Sequence, residues 1–130
     1  MPSSEHPKDE IVCLVDDDPA VLKSIGRLLV SEGFAVRAFS HPKSFLEYVK
    51  TSKVPLVVLD IWMEEMSGLE VQAKVSVLSP RTCVIMITGR DDPAAKRTAL
   101  DRGVFAFLTK PFDADEFLAA VRSALAVETK

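Results

Sequence analysis

Short runs of β-branched and aliphatic residues alternate with helix-length amphipathic segments along nearly the whole chain. The runs at 11–15, 35–39, 56–59, 82–87 and 105–109 are predicted strands. Residues 19–31 set Val21, Leu22, Ile25, Leu28 and Leu29 on one face at helical spacing, with Asp18 as N-cap and Gly33 closing the end. Residues 40–50 start on a serine cap, carry Pro42 in the first turn and turn Phe45, Leu46 and Val49 inward, and 67–78 and 113–127 repeat that periodicity. Residues 92–102 make a weaker helix, rich in alanine and poor in large apolar side chains. A parallel strand pair requires a crossover, and each helix supplies one, so this order predicts an α/β fold with a parallel sheet covered on both faces.

A chain of 130 residues that is 48% hydrophobic has the side chains for one real core, and one domain is expected over 10–130 behind a short flexible lead-in at 1–9. The net charge is only −3, and the sixteen basic residues are scattered rather than gathered into a stripe, which argues against direct nucleic-acid binding by this segment. Cys13 and Cys83 sit inside the apolar runs IVCLV and TCVIMI and read as reduced, buried thiols, which fits a cytoplasmic protein. No apolar stretch approaches the roughly 20 residues of a membrane helix, and MPSSEHPKDE lacks the apolar core of a secretory signal.

The informative polar residues all follow strands: Asp16 and Asp17 the first, Asp60 the third, Thr88 the fourth and Lys110 the fifth. In an open α/β sheet ligands bind beyond the carboxyl ends of the strands, so these groups are candidates for one shared cleft. Three carboxylates brought together repel one another and are costly to leave ionised unless a cation neutralises them. Oxygen-only ligation suits Mg²⁺ better than zinc, and His6 and His41 lie outside the cluster. Beside such an ion a carboxylate can attack a phosphoryl group while an ammonium and a hydroxyl stabilise the phosphoryl oxygens. Asp18, directly before Pro19, reads as a helix cap, and Asp91, Asp92, Asp113 and Asp115 as caps and first-turn acids.

The segments VDDDP, VVLDIWMEEMSGLE, IMITGRDD and FAFLTKPFD, in that order and at those strand ends, resemble the response-regulator receiver family, the CheY-like domains of two-component signal transduction. The resemblance runs from Ile11 to about Val127. It implies a flavodoxin-like, doubly wound (βα)5 fold with a five-stranded sheet in the order 2-1-3-4-5. It also implies that Asp60 accepts a phosphoryl group from a sensor histidine kinase or phosphotransfer protein in a Mg²⁺-dependent reaction, with Mn²⁺ as an alternative ion. Asp17, Asp60 and the backbone carbonyl of Trp62 would ligate the metal directly, and Asp16 mainly through water. Lys110 would pair with the acceptor and phosphoryl oxygens, and Lys110–Pro111 would be a cis peptide. Thr88 would move toward the phosphoryl group and Phe107 reorient behind it. The face formed by the fourth helix, fifth strand and fifth helix would then act on an output domain, a target protein or a second copy. A receiver of this kind is a signalling domain, with self-phosphorylation from small donors and self-dephosphorylation as its only chemistry.

The family usually has a proline after the methionine that follows the acceptor, whereas Met63 is followed by Glu64 and Glu65, which predicts a looser, more acidic loop. Trp62, two residues past Asp60, is placed to shield a phosphoryl group and lengthen its lifetime. Arg90, two residues past Thr88, could pair with Glu64 or the phosphoryl group, or be a solvated loop charge. Two other function classes fit part of the pattern. One is a pseudo-receiver, a binding module that is never phosphorylated. The other is a haloacid-dehalogenase-like phosphatase with Asp16 as nucleophile, which leaves Asp60 without a role.

Overall fold

Strand and helix alternate strictly along residues 11–128, the residues that the computed structural model of the chain describes. The lead-in expected at 1–9 lies outside the described residues. The elements are β1 (Ile11–Val15), α1 (Pro19–Ser31), β2 (Ala35–Phe39), α2 (Pro42–Thr51), β3 (Leu56–Asp60), α3 (Gly68–Leu78), β4 (Cys83–Thr88), α4 (Pro93–Asp101), β5 (Ala106–Thr109) and α5 (Ala114–Glu128). All strand pairs are parallel, in the order β2-β1-β3-β4-β5.

Side chains on a strand alternate between the two faces of the sheet, and both faces here are packed. Cys13, Val15, Val57 and Leu59 point to one side, where Phe45 and Val49 of α2, Val71 and Val75 of α3 and Ala95 and Ala99 of α4 meet them. Val12, Leu14, Leu56 and Val58 point to the other, against Ile25 and Leu29 of α1 and Phe117 and Val121 of α5. The central strand β3 is therefore buried along its whole length, which is why it reads as an unbroken apolar run.

Most helix ends follow local chemistry. Asp18 caps α1 by accepting a hydrogen bond from the Ala20 N–H (2.9 Å), and Gly33, at φ 91°, closes it with its N–H on the Val30 carbonyl. Helix α2 departs from expectation: its N-cap is His41, with no side-chain cap bond, and Ser40 lies outside the helix. Pro42 occupies the first turn, where a missing N–H costs nothing, so the helix starts there without needing a serine. Strand β3 extends one residue further than the apolar run, because Asp60 pairs with Ile87 and the ladder continues through the Ile61 N–H to the Ile87 carbonyl. Cys13 is fully buried, whereas Cys83, at the start of β4, is only half-buried, with Sγ 3.7 Å from the Ala124 carbonyl oxygen.

Candidate functional site

The chain leaves β1 toward β2 on one side and returns to β3 on the other, so a crevice opens beyond the carboxyl ends of β1 and β3. Val15 pairs with Leu59, which brings Asp16 and Asp17 out of the sheet beside Asp60, the last residue of β3. One carboxylate oxygen from each of Asp16, Asp17 and Asp60 lies within 4.8 Å of the others. Asp16 and Asp60 are buried and Asp17 is exposed.

The partners of these carboxylates are unequal. Asp16 Oδ1 accepts from the Asp18 N–H (2.9 Å), but its buried Oδ2 has no hydrogen-bond donor, and the Lys110 Nζ is 3.6 Å away. Asp17 Oδ2 accepts from the Glu64 N–H (3.0 Å), so the acidic loop after β3 is tied to the site rather than loose. Lys110 follows β5 through a cis peptide to Pro111, and its ion pair is with Asp16 rather than with Asp60. Its charge nevertheless acts on Asp60.

Burial pushes the Asp60 carboxyl up to about 6, and the neighbouring Asp16 charge pushes the same way while Lys110 opposes it. Asp16 is also raised, first by burial, with the Asp18 N–H and Lys110 acting against it. Two buried carboxylates that resist ionisation, one holding an oxygen without a donor, fit a hard divalent cation that takes oxygen ligands. His41 instead faces Glu65 (Nδ1 to Oε2 3.4 Å), and His6 lies outside the described residues.

The remaining predicted residues lie on β4 and β5 or in the loops after β3 and β4. Thr88 ends β4 fully buried, and its Oγ1 accepts from the Arg90 N–H (3.1 Å). Phe107 is half-buried against the core on the α2–α4 side. Trp62 is exposed, and the Arg90 guanidinium lies over its ring, 4.8 Å from the centroid. Arg90 is thus exposed, as a loop charge should be, but its partner is Trp62 and not Glu64.

Two supports of the site were not among the predicted residues. Ser67 and Glu70 form a reciprocal capping box at the start of α3, readable as Ser-x-x-Glu in the sequence. Gly68 packs its backbone on the end of β3: its N–H donates to the Ile61 carbonyl (2.8 Å), and a Cβ there would sit 2.5 Å from the Asp60 carbonyl oxygen. Nothing in a linear reading marks that close approach.

Comparison with known proteins gives a consistent picture. The family described as the response regulator receiver domain matches residues 12–122. The response regulator protein TmoT of Ectopseudomonas mendocina is 37% identical over 123 residues, covering 93% of this chain and 56% of that protein. The response regulator protein TodT of Pseudomonas putida is 38% identical over 115 residues, covering 88% and 51%. This chain spans about half the length of these relatives. The crystal structure of a response regulator receiver domain protein (CheY-like) from Methanospirillum hungatei superposes with a TM-score of 0.86 at 27% identity, over 92% of this chain and 96% of that one.

Proposed function

Because the chain belongs to the response regulator receiver domain family, a family of signalling domains, we propose that Asp60 is its phosphoacceptor and that Asp16, Asp17, Thr88 and Lys110 serve that transfer. The observation that carries this reading is the trio of carboxylates at the switch point of the sheet, with a buried Asp16 oxygen that no donor reaches.

Asp16, Asp17, Asp60 and the Trp62 carbonyl would hold Mg²⁺. Bound there, the ion supplies positive charge that lets the carboxylates ionise together and draws in phosphoryl oxygens. With its carboxyl titrating at about 6, Asp60 is mostly ionised at neutral pH and ready as a nucleophile. Its oxygen forms a bond to phosphorus as the donor bond breaks. The leaving electron pair goes to the imidazole nitrogen of a phosphohistidine, or to the acetate oxygen of acetyl phosphate. Lys110, already beside Asp16, offers its ammonium to the transferring oxygens. The donors in this reading are a sensor histidine kinase or a phosphotransfer protein.

A dianion on Asp60 creates acceptors where a single carboxylate stood, and the Thr88 hydroxyl is the nearby group that can turn to meet it. Phe107, only half-buried, would take up the space behind it. Helix α4 is anchored by nothing larger than the buried Ala95 and Ala99, which suits an element that shifts. The α4-β5-α5 face would then signal to an output domain, a target or a second copy. A cytoplasmic location belongs to the same reading; no helix among the described residues is long and apolar enough to cross a membrane.

Intact mass after incubation with acetyl phosphate tests the proposal. One phosphoryl adduct that requires Mg²⁺ and disappears in Asp60→Asn is expected. An adduct that persists in Asp60→Asn and is lost in Asp16→Asn would move the nucleophile to Asp16, and no adduct under any condition would make the chain a binding module.

A further inference from the structure

Trp62 and Arg90 each stand two residues beyond a site residue, Asp60 and Thr88, that ends one of two adjacent strands, and they meet beyond those strand ends. The Trp62 side of this contact is held firmly. Met63 beside it is buried, and the Glu64 N–H is fixed on Asp17. The Arg90 side is tied through its own backbone to Thr88. Gly89, between Thr88 and Arg90, has open space around it, with nothing within 4 Å of where a Cβ would lie.

Arg90 is joined to Thr88 as well as to Trp62. Its backbone N–H donates to the Thr88 Oγ1 at 3.1 Å, so that hydroxyl is oriented toward residue 90. A threonine hydroxyl has one proton and two acceptor sites, and its position relative to the Arg90 backbone is fixed as long as that bond stands. For Thr88 to approach a phosphoryl group on Asp60, it must either give up the Arg90 N–H or drag residue 90 with it. Either movement shifts the root of the guanidinium while the indole stays in place.

We infer that Arg90 is a positioning residue for the phosphoacceptor site: stacked on Trp62 and bonded to Thr88, it holds the Thr88 hydroxyl in its resting place, and occupation of Asp60 works against that stack. The inference rests on Asp60 being the acceptor. It assigns the Trp62–Arg90 pair a part in the resting state, separate from any shielding of the phosphoryl group from water. A stack at an exposed position biases such an equilibrium by about two- to fivefold.

The test uses beryllofluoride, a non-transferring stand-in for the phosphoryl group, titrated in the presence of Mg²⁺ into wild type, Arg90→Gln, Arg90→Lys and Asp60→Asn. Binding is read by fluorine NMR, and the stack by the emission of Trp62, the only tryptophan in the chain. In wild type the emission should change in step with binding. Arg90→Gln keeps the backbone N–H but loses the cation. It should bind about two- to fivefold more tightly, with resting emission already displaced and a smaller change on binding. Arg90→Lys, which keeps a cation, should stay near wild type. Equal affinities in wild type and Arg90→Gln, or binding that leaves Trp62 emission unmoved, would overturn the inference while leaving Asp60 as acceptor. Wild-type binding that is absent, or that survives Asp60→Asn, would overturn the acceptor reading and this inference with it.

Discussion

Removing the charge of Asp60 should make the metal-free protein more stable at neutral pH, although the residue lies at the heart of the site. Asp60 is 7% exposed, and burial, with the neighbouring Asp16 charge, pushes its carboxyl up from 3.8 to about 6. The folded chain therefore holds this proton more tightly than the unfolded one. Stability is highest with the group protonated, below pH ~4, and falls as pH rises through the window up to about 6. At about 1.4 kcal/mol for each pH unit, the displacement amounts to roughly 3 kcal/mol at neutral pH. Urea denaturation of wild type and Asp60→Asn with the divalent cation chelated should show the variant ahead by up to about 3 kcal/mol at pH 7.5 and by little at pH 4. Other carboxylates titrate over the same range, and the difference between the two proteins at each pH cancels most of their contribution. Mg²⁺ should narrow the gap at pH 7.5, because a cation that binds only the folded wild type adds stability by mass action. A gap of the same size at both pH values, or a variant less stable than wild type at pH 7.5, would refute the account of Asp60 as a buried charge under repulsion.

Three further perturbations probe other parts of the site. Gly68→Ala places a methyl group against the Asp60 carbonyl and the Ile61 Cα, and is expected to cost about 1–3 kcal/mol in denaturation and to lower phosphorylation by acetyl phosphate. A variant as stable as wild type would show that α3 can move off β3 freely. Lys110→Met removes the cation that favours the ionised Asp60, so the carboxyl should be pushed up further and its titration, followed by carbon NMR, should lie higher in the variant than in wild type; a downward movement would contradict the placement of Lys110. Trp62→Ala should shorten the lifetime of the phosphorylated protein, measured by decay of the mass adduct after the donor is removed. An unchanged lifetime would leave the indole with no shielding role.

The parts of the molecule legible in the sequence are those in which one local rule decides. Asp18 and Asp92 read as caps because they precede a proline-started helix, and both accept the expected backbone N–H. The runs IVCLV and LVVL read as strands because both faces of the sheet are covered there. The carboxylate trio could be anticipated because a parallel sheet delivers every strand end to the same edge. Ser40 was misread because a serine before a proline fits the capping rule, yet the helix begins one residue later with His41 as its uncapped start. Gly68 is illegible for a different reason. Its role is a contact between the backbones of α3 and β3, and the sequence carries no sign of how closely two backbones approach.

Arg90 shows where residue-by-residue reading stops. Charge alone offers it Glu64 of the neighbouring loop as a partner. The Glu64 backbone, however, is committed to Asp17, whereas Trp62 and Arg90 each lie two residues past the last residue of the neighbouring strands β3 and β4. An exposed ion pair between long side chains contributes little, and an aromatic face on the loop tied to Asp17 offers the guanidinium a better-ordered partner. The alignment of β1 with β3 gathers the carboxylates for a cation, and the pairing of β3 with β4 sets an aromatic ring and a cationic side chain beyond their ends. The acidic interior and the stacked rim both follow from the parallel order β1-β3-β4, which delivers these three strand ends to one edge of the sheet.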